Sequence, residues 1–97
     1  NPEAEIHVLR IVQESVSNVR KHASASEAKI KFSVEGGELL LTIEDDGVGF
    51  DPWQIRLWRQ PHFGLHSMGE RAEKIGASFK VESEPGKGTR VSLRLKL

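Results

Sequence analysis

LLLTIEDDGVGFD, residues 39 to 51, runs from an apolar segment into three consecutive acids and then into two glycines separated by a valine. Leu39, Leu41 and Ile43 alternate with Leu40, Thr42 and Glu44, which is the period of a strand with one covered face. Continuing that alternation puts Asp45 on the same covered side as Ile43. A carboxylate there must have a partner. One reading is a strand-end aspartate that accepts backbone N–H groups from the turn at Gly47. The other is an acceptor-only group at the floor of a pocket, taking a hydrogen bond from an exocyclic amine. Such a group selects adenine over guanine, which carries a carbonyl oxygen at the corresponding point. In the second reading Gly47 and Gly49 let backbone approach a flat ring closely.

Working outward, Gly36-Gly37 precedes this strand as a hairpin turn, and Ala28, Ile30, Phe32 and Val34 alternate before it as a half-buried partner strand. Further back, Asn1-Pro2-Glu3 reads as a cap, a proline at the first helical position and an early acid, so a helix is expected from Pro2 to Ala23. At about 100° per residue, Leu9, Val12, Val16, Val19 and Ala23 form its apolar stripe, and Glu14, Asn18, Lys21 and His22 fall on a neighbouring polar one. A neutral amide at Asn18 suits a Mg²⁺ ion that keeps most of its waters and is shared with phosphates. Glu14 can hold a metal-bound water or orient an attacking group, and Lys21 and His22 can offset phosphate charge. The competing reading is a solvated polar face with helix ion pairing.

After Asp51 come roughly a dozen residues of mixed signal, DPWQIRLWRQPH, bounded by two prolines and read as a lid over about residues 50–63. Its Trp53, Leu57 and Trp58, with Arg56 and Arg59, allow base stacking on single strands, against which the neutral net charge argues, or a short lid helix packed over the pocket. The preferred reading is a lid that partly exposes its tryptophans as a docking surface for other helices. Leu65, Met68, Ala72 and Ile75 repeat at helical spacing, with Gly76 to end that helix. ASFKVES and TRVSLRLKL then pair as a last hairpin, Val91, Leu93, Leu95 and Leu97 facing one way. The order predicts an α+β fold, a mostly antiparallel sheet covered on one face by helices.

Ninety-seven residues suit a single domain, residues 1–97. The 14 basic and 14 acidic side chains balance, so no electrostatic footprint for nucleic acid is present. No run approaches the ~20 apolar residues of a membrane helix, so no direct membrane contact is expected. The absence of cysteine fits a cytoplasmic setting. His62 and His66 have the spacing of a zinc pair, but Gly64 lies between them and no third ligand is signalled. A start in a helix and an end in a strand suggest a domain of something longer.

With these residues in hand, a family resemblance is apparent. QESVSNVRKHASAS resembles the N box, EDDGVGFD the G1 box, FGLHSMGERAEKIGA the G2 box and GKGTRVSLRL the closing strand of GHKL ATPases. The likeness is to the catalytic, ATP-binding domain of sensor histidine kinases, in the nitrate-sensor-like subfamily with Gly-Leu-x-x-Met-x-Glu-Arg in its G2 box. The resemblance implies a Bergerat-type two-layer α/β sandwich with a mixed sheet, binding Mg-ATP between helices and lid. It implies Glu14 as the catalytic acid and Asn18 as the Mg²⁺ ligand. Lys21 and His22 would lie on the phosphate side, and Asp45 would bind adenine with Gly47 and Gly49 shaping the pocket. Gly64 and Leu65 would open the helix that faces the phosphates, and Thr89 would sit near the adenine. The implied partners are the phosphoacceptor and dimerisation helices of a parent kinase and a helix-turn-helix response regulator. Other readings are an ATP-gated interaction module and a GHKL serine kinase of the anti-sigma type.

Overall fold

The computed structural model describes residues 2–51 and 65–97, with residues 22 and 23 described in their backbone alone. Helix α1 spans Pro2–Asn18 and passes without a break into a π-helical turn, Val19–Ala23. Strands β1 (Ala28–Glu35) and β2 (Glu38–Asp45) follow, then helix α2 (Leu65–Lys74) and strands β3 (Ser78–Ser83) and β4 (Thr89–Lys96). The sheet order is β1-β2-β4-β3, and every pair among these described strands is antiparallel, in keeping with the mostly antiparallel sheet expected. Asn1, the expected cap, and residues 52–64, which hold most of the expected lid, lie outside the described residues.

Local chemistry accounts for the turns. Gly36 and Gly37 both take positive φ, 57° and 77°, which a two-residue hairpin with the twist of its strands requires. Helix α2 ends in a pair of bonds, Ala77 N–H to the Ala72 carbonyl and Gly76 N–H to the Glu73 carbonyl, with Gly76 at φ 69°. That pattern closes a helix most easily when glycine occupies the left-handed position.

Register explains the core. Residues directly opposite in neighbouring strands share a face, so Ile43, Val91 and Val81 form one row and Leu41, Leu93 and Phe79 the next. Leu41, Ile43, Val91 and Leu93 are buried beneath Ile11 of α1 and Met68 and Ala72 of α2. Both helices therefore lie on one face, and the other is lined by polar side chains such as Lys80, Arg90 and Ser92.

Two expectations need correction. The buried spine of α1 is Ile11 and Ser15, flanked by Val8 and Val12, whereas Leu9 is 56% exposed. The apolar residues of this helix cover more than half its circumference, so periodicity alone did not decide which part faces inward. Strand β1 is exposed along its whole length, not half-buried. Ile30 and Phe32 continue the two core rows, paired with Ile43 and Leu41, but α1 lies over β2 and leaves them 47% and 57% exposed.

Candidate functional site

One row across the end of the sheet builds the site. Ala28 pairs with Asp45, Asp45 with Thr89, and Thr89 with Ser83, so the last three present their side chains on the helix-covered face. A pocket opens between this row and the C-terminal half of α1. Ile43 and Val91 form its sheet wall, Ser15, Asn18 and Val19 its helix wall, and Val48, Gly49 and Phe50 the wall supplied by the loop after β2. Leu65, at the start of α2, completes the lining. The polar groups are few and converge on an otherwise apolar slot, which suits a flat, partly apolar ligand with defined hydrogen-bonding edges.

Each of the three consecutive acids has a separate task. Glu44 points to the uncovered face and meets its cross-strand partner Arg90 at 2.7 Å. Both side chains are partly solvated, so the pair adds little stability. Asp45 faces the pocket, and its Oδ1 accepts the Gly47 N–H at 2.9 Å. The turn interaction is therefore present in a carboxylate that also lines the pocket. Asp46 leaves the strand and accepts the N–H groups of Ser26 and Glu27 at 2.9 and 3.0 Å and the Ser26 hydroxyl at 3.2 Å. The backbone bond from Glu27, helped by those from Ser26, holds the Asp46 carboxyl below its ordinary range against the opposing effect of desolvation.

The loop after β2 is clamped by the β3–β4 turn. Gly86 N–H donates to the Val48 carbonyl at 2.6 Å, and Phe50 N–H donates to the Ser83 hydroxyl at 2.8 Å. The approach is close enough to demand glycine on both sides. A Cβ at Gly49 would lie 2.0 Å from the Glu84 carbonyl oxygen, and one at Gly88 would lie 2.0 Å from that of Asp45. Glycine at 49 is thus required by the neighbouring turn, a cause different from close approach to a ligand ring. Across the helix layer, Ser15 donates to the Met68 sulfur at 3.4 Å beside the pocket, and Arg71 donates to His7 Nδ1 at 3.2 Å further toward the start of α1, tying α2 to α1.

Of the residues singled out in the sequence, the pocket brings together Asn18, Asp45, Gly49, Leu65 and Thr89. Gly47 is buried behind Asp45 and holds it. Glu14 is half-buried one turn before Asn18 and is not part of the wall. Lys21 does not continue the Glu14–Asn18 line; it is exposed and borders a separate groove with Val12, Gln13 and Val16. The reason is the π turn, which begins immediately after Asn18 and breaks the 100° step on which the four-residue stripe depended. The His22 side chain, Gly64, His62 and the lid tryptophans lie outside the described residues, and His66 instead meets Glu70 at 2.6 Å. Sequence reading missed Ser15, Phe50 and Ser83. Ser15 sits inside the N-box stretch, but nothing in pattern marks Ser83 apart from an ordinary strand serine.

Among the described residues no group of three or more His, Asp and Glu side chains forms a metal cluster. A Mg²⁺ ion shared with phosphates does not require one, because it retains waters and takes one or two protein oxygens. The Asn18 amide at the pocket wall fits that need.

Residues 3–97 match the family described as histidine kinase-, DNA gyrase B- and HSP90-like ATPases. The chain belongs to this ATPase family. Within it, the chain is 38% identical over 91 residues to the sensor histidine kinase LiaS of Bacillus subtilis, covering 94% of this chain and 24% of that protein. It is 36% identical over 93 residues to the sensor protein VraS of Staphylococcus aureus, covering 96% of this chain and 26% of that one. The chain therefore spans about a quarter of the length of these curated relatives. Among solved structures, the histidine kinase domain of the blue-light activated kinase of Erythrobacter litoralis EL346 superposes with a TM-score of 0.82 at 25% identity, over 98% of this chain and 45% of that one. The ATP-binding domain of PrrB from Mycobacterium tuberculosis gives 0.76 at 22% identity, over 94% and 67%, a likeness of fold. The α+β architecture of the described residues, a four-stranded antiparallel sheet with a helical layer, matches the Erythrobacter litoralis histidine kinase domain structure. Among the described residues, no helix is long and apolar enough to cross a membrane.

Proposed function

We propose that this ATPase-family chain binds Mg-ATP in the pocket between α1 and the sheet end and delivers the γ-phosphate to a histidine on separate dimerisation helices of a parent sensor kinase. The observation that carries this reading is the convergence of Asp45, Thr89 and Asn18 on one apolar slot. Asp45 is the base-selecting acceptor, since Oδ1 is held by Gly47 N–H and the other oxygen has no hydrogen bond among the described residues. Ile43, Val91 and Val48 supply apolar contact for a ring, and Thr89 stands beside Asp45 at the same end. Asn18 is the residue that would hold Mg²⁺, which neutralises phosphate charge when bound. Glu14, one turn earlier on α1, is the residue assigned to orient the acceptor or take its proton. Gly64, with Leu65, is assigned to the phosphate side, and Lys21 and His22 to long-range charge compensation. The downstream partner in this reading is a helix-turn-helix response regulator, and the working compartment is the cytoplasm.

Phosphoryl transfer depends on holding the acceptor in line with the γ-phosphate, and most of its gain comes from that positioning. His7 is committed to Arg71, and His66 to Glu70, so neither is offered to the pocket. The chain by itself should bind ATP and accumulate no stable phosphohistidine. Radiolabel from γ-labelled ATP, followed by acid and alkali stability of the product, checks this with and without the parent's helices. Strong self-labelling of the 97-residue chain would overturn the assignment, and an alkali-labile product on a partner would favour the serine kinase alternative.

A further inference from the structure

Ser83 is a half-buried serine on β3, and its hydroxyl stands at the centre of three close contacts. It receives the Phe50 N–H at 2.8 Å, lies 2.9 Å from the Gly88 carbonyl oxygen and lies 2.9 Å from the Thr89 hydroxyl oxygen. A hydroxyl has one proton to give and two lone pairs to accept with. The Gly88 carbonyl has no proton, so two oxygens at 2.9 Å can attract only if the Ser83 proton lies between them. That proton is then spent. One Ser83 lone pair is filled by Phe50 N–H, and the remaining one faces Thr89. The Thr89 proton must therefore point at Ser83, and Thr89 turns only lone pairs toward the pocket that it lines.

We propose that Ser83 is a positioning residue that fixes the hydroxyl proton of Thr89 away from the pocket, so that Thr89 meets its ligand as an acceptor only. The proposal rests on the nucleotide-binding reading and extends it from one acceptor to two. Asp45 and Thr89 are direct cross-strand partners, and both then present acceptors at the same end of the slot. Two acceptors side by side match a group with two N–H bonds, the exocyclic amine of a base, met directly or through a shared water. They reject a carbonyl at that point twice over, because neither can supply a proton. Without Ser83 the Thr89 hydroxyl can rotate and donate, and half of that rejection is lost.

The test measures affinities of ATP and inosine triphosphate, which puts a carbonyl oxygen where ATP has the amine, for the full chain and its Ser83→Ala, Ser83→Thr and Thr89→Val variants. Calorimetry gives the affinities, and circular dichroism checks that each variant is folded. The wild type should prefer ATP. Ser83→Ala should lower the ATP to inosine triphosphate ratio by about 3- to 10-fold, the range of one neutral hydrogen bond. Ser83→Thr keeps the hydroxyl and should keep the ratio. Thr89→Val should lower the ratio similarly, and adding Ser83→Ala to it should change the ratio no further. A purely structural Ser83 would weaken both nucleotides alike in the alanine variant, and that result overturns the proposal. Should Ser83→Ala not fold, Thr89→Val decides alone: loss shared equally by both nucleotides, or heavier for inosine triphosphate, overturns it. A wild-type chain that binds neither nucleotide removes the nucleotide reading itself, whereas Asp45-dependent ATP binding with an unchanged ratio in Ser83→Ala removes only the role of Ser83.

Discussion

Replacing Asp45 by Asn tests the pocket at its polar centre. Oδ1 of Asp45 accepts the Gly47 N–H at 2.9 Å, and Gly47 is buried, so that bond has a strong claim on whichever atom replaces Oδ1. An asparagine amide has one oxygen and one NH₂ group. The oxygen must take the place facing Gly47 N–H, because the NH₂ group there would set donor against donor. The NH₂ group then faces the pocket, and the site changes from acceptor to donor with almost no change in volume. The lost bond is charge-assisted and half-buried, worth about 1.5–3 kcal/mol, or about 10- to 100-fold in ATP affinity. Inosine triphosphate should bind the variant no worse than the wild type, since its carbonyl now meets a donor. The backbone bond survives, so the melting temperature should move little. Calorimetric titration of both nucleotides into both proteins gives the four affinities. Equal losses for the two nucleotides, or none for ATP, would refute the assignment of Asp45 as the base-selecting acceptor.

Further perturbations separate the remaining roles. Asn18→Ala should weaken the Mg²⁺-dependent part of ATP binding, whereas Glu14→Gln should leave binding nearly intact and slow transfer to the parent's histidine by about 10²-fold or more; identical behaviour of the two variants would contradict that division. Gly88→Ala combines φ 79° with a Cβ only 2.0 Å from the Asp45 carbonyl oxygen and should cost about 2–5 kcal/mol, while Gly37→Ala, at φ 77° with nothing within 4 Å, should cost only the left-handed penalty of about 1–2 kcal/mol. Denaturant unfolding of both variants checks the difference. The Asp46 carboxyl is held low in the folded state by the Glu27 and Ser26 donors, so its contribution to stability is present above the unfolded-state value and is lost as pH falls through the folded one. The gap in melting temperature between wild type and Asp46→Asn should therefore be widest near neutral pH and shrink through the acidic carboxylate range.

Much of this protein is written locally. Alternation in 28–34 and 39–43, the Gly36-Gly37 turn, the helical spacing of Met68 and Ala72 and the stop at Gly76 depend on backbone preference and near-neighbour period, so they can be read before any fold is known. The motif stretches are equally local, which is why Asn18, Asp45 and Thr89 could be picked out as a set. Other features depend on which residues meet across long separations. The inward face of α1 follows from where α2 and the sheet lie, so Ile11 and Ser15 are buried while Leu9 is not. The exposure of Ile30, Phe32 and Val34 follows from α1 lying over β2, a choice that strand periodicity does not contain. The π turn after Asn18 redirects Lys21. Most of all, the register across β2, β4 and β3 sets Asp45, Thr89 and Ser83 side by side, although Ser83 stands 38 positions from Asp45 in the chain. A hydrogen bond between neighbouring strands depends on position in space and proton count, and sequence pattern carries neither. The identities of the groups that can bind a nucleotide are local information, whereas the direction in which each hydroxyl and carboxylate presents its proton or lone pair is decided by the packing around it.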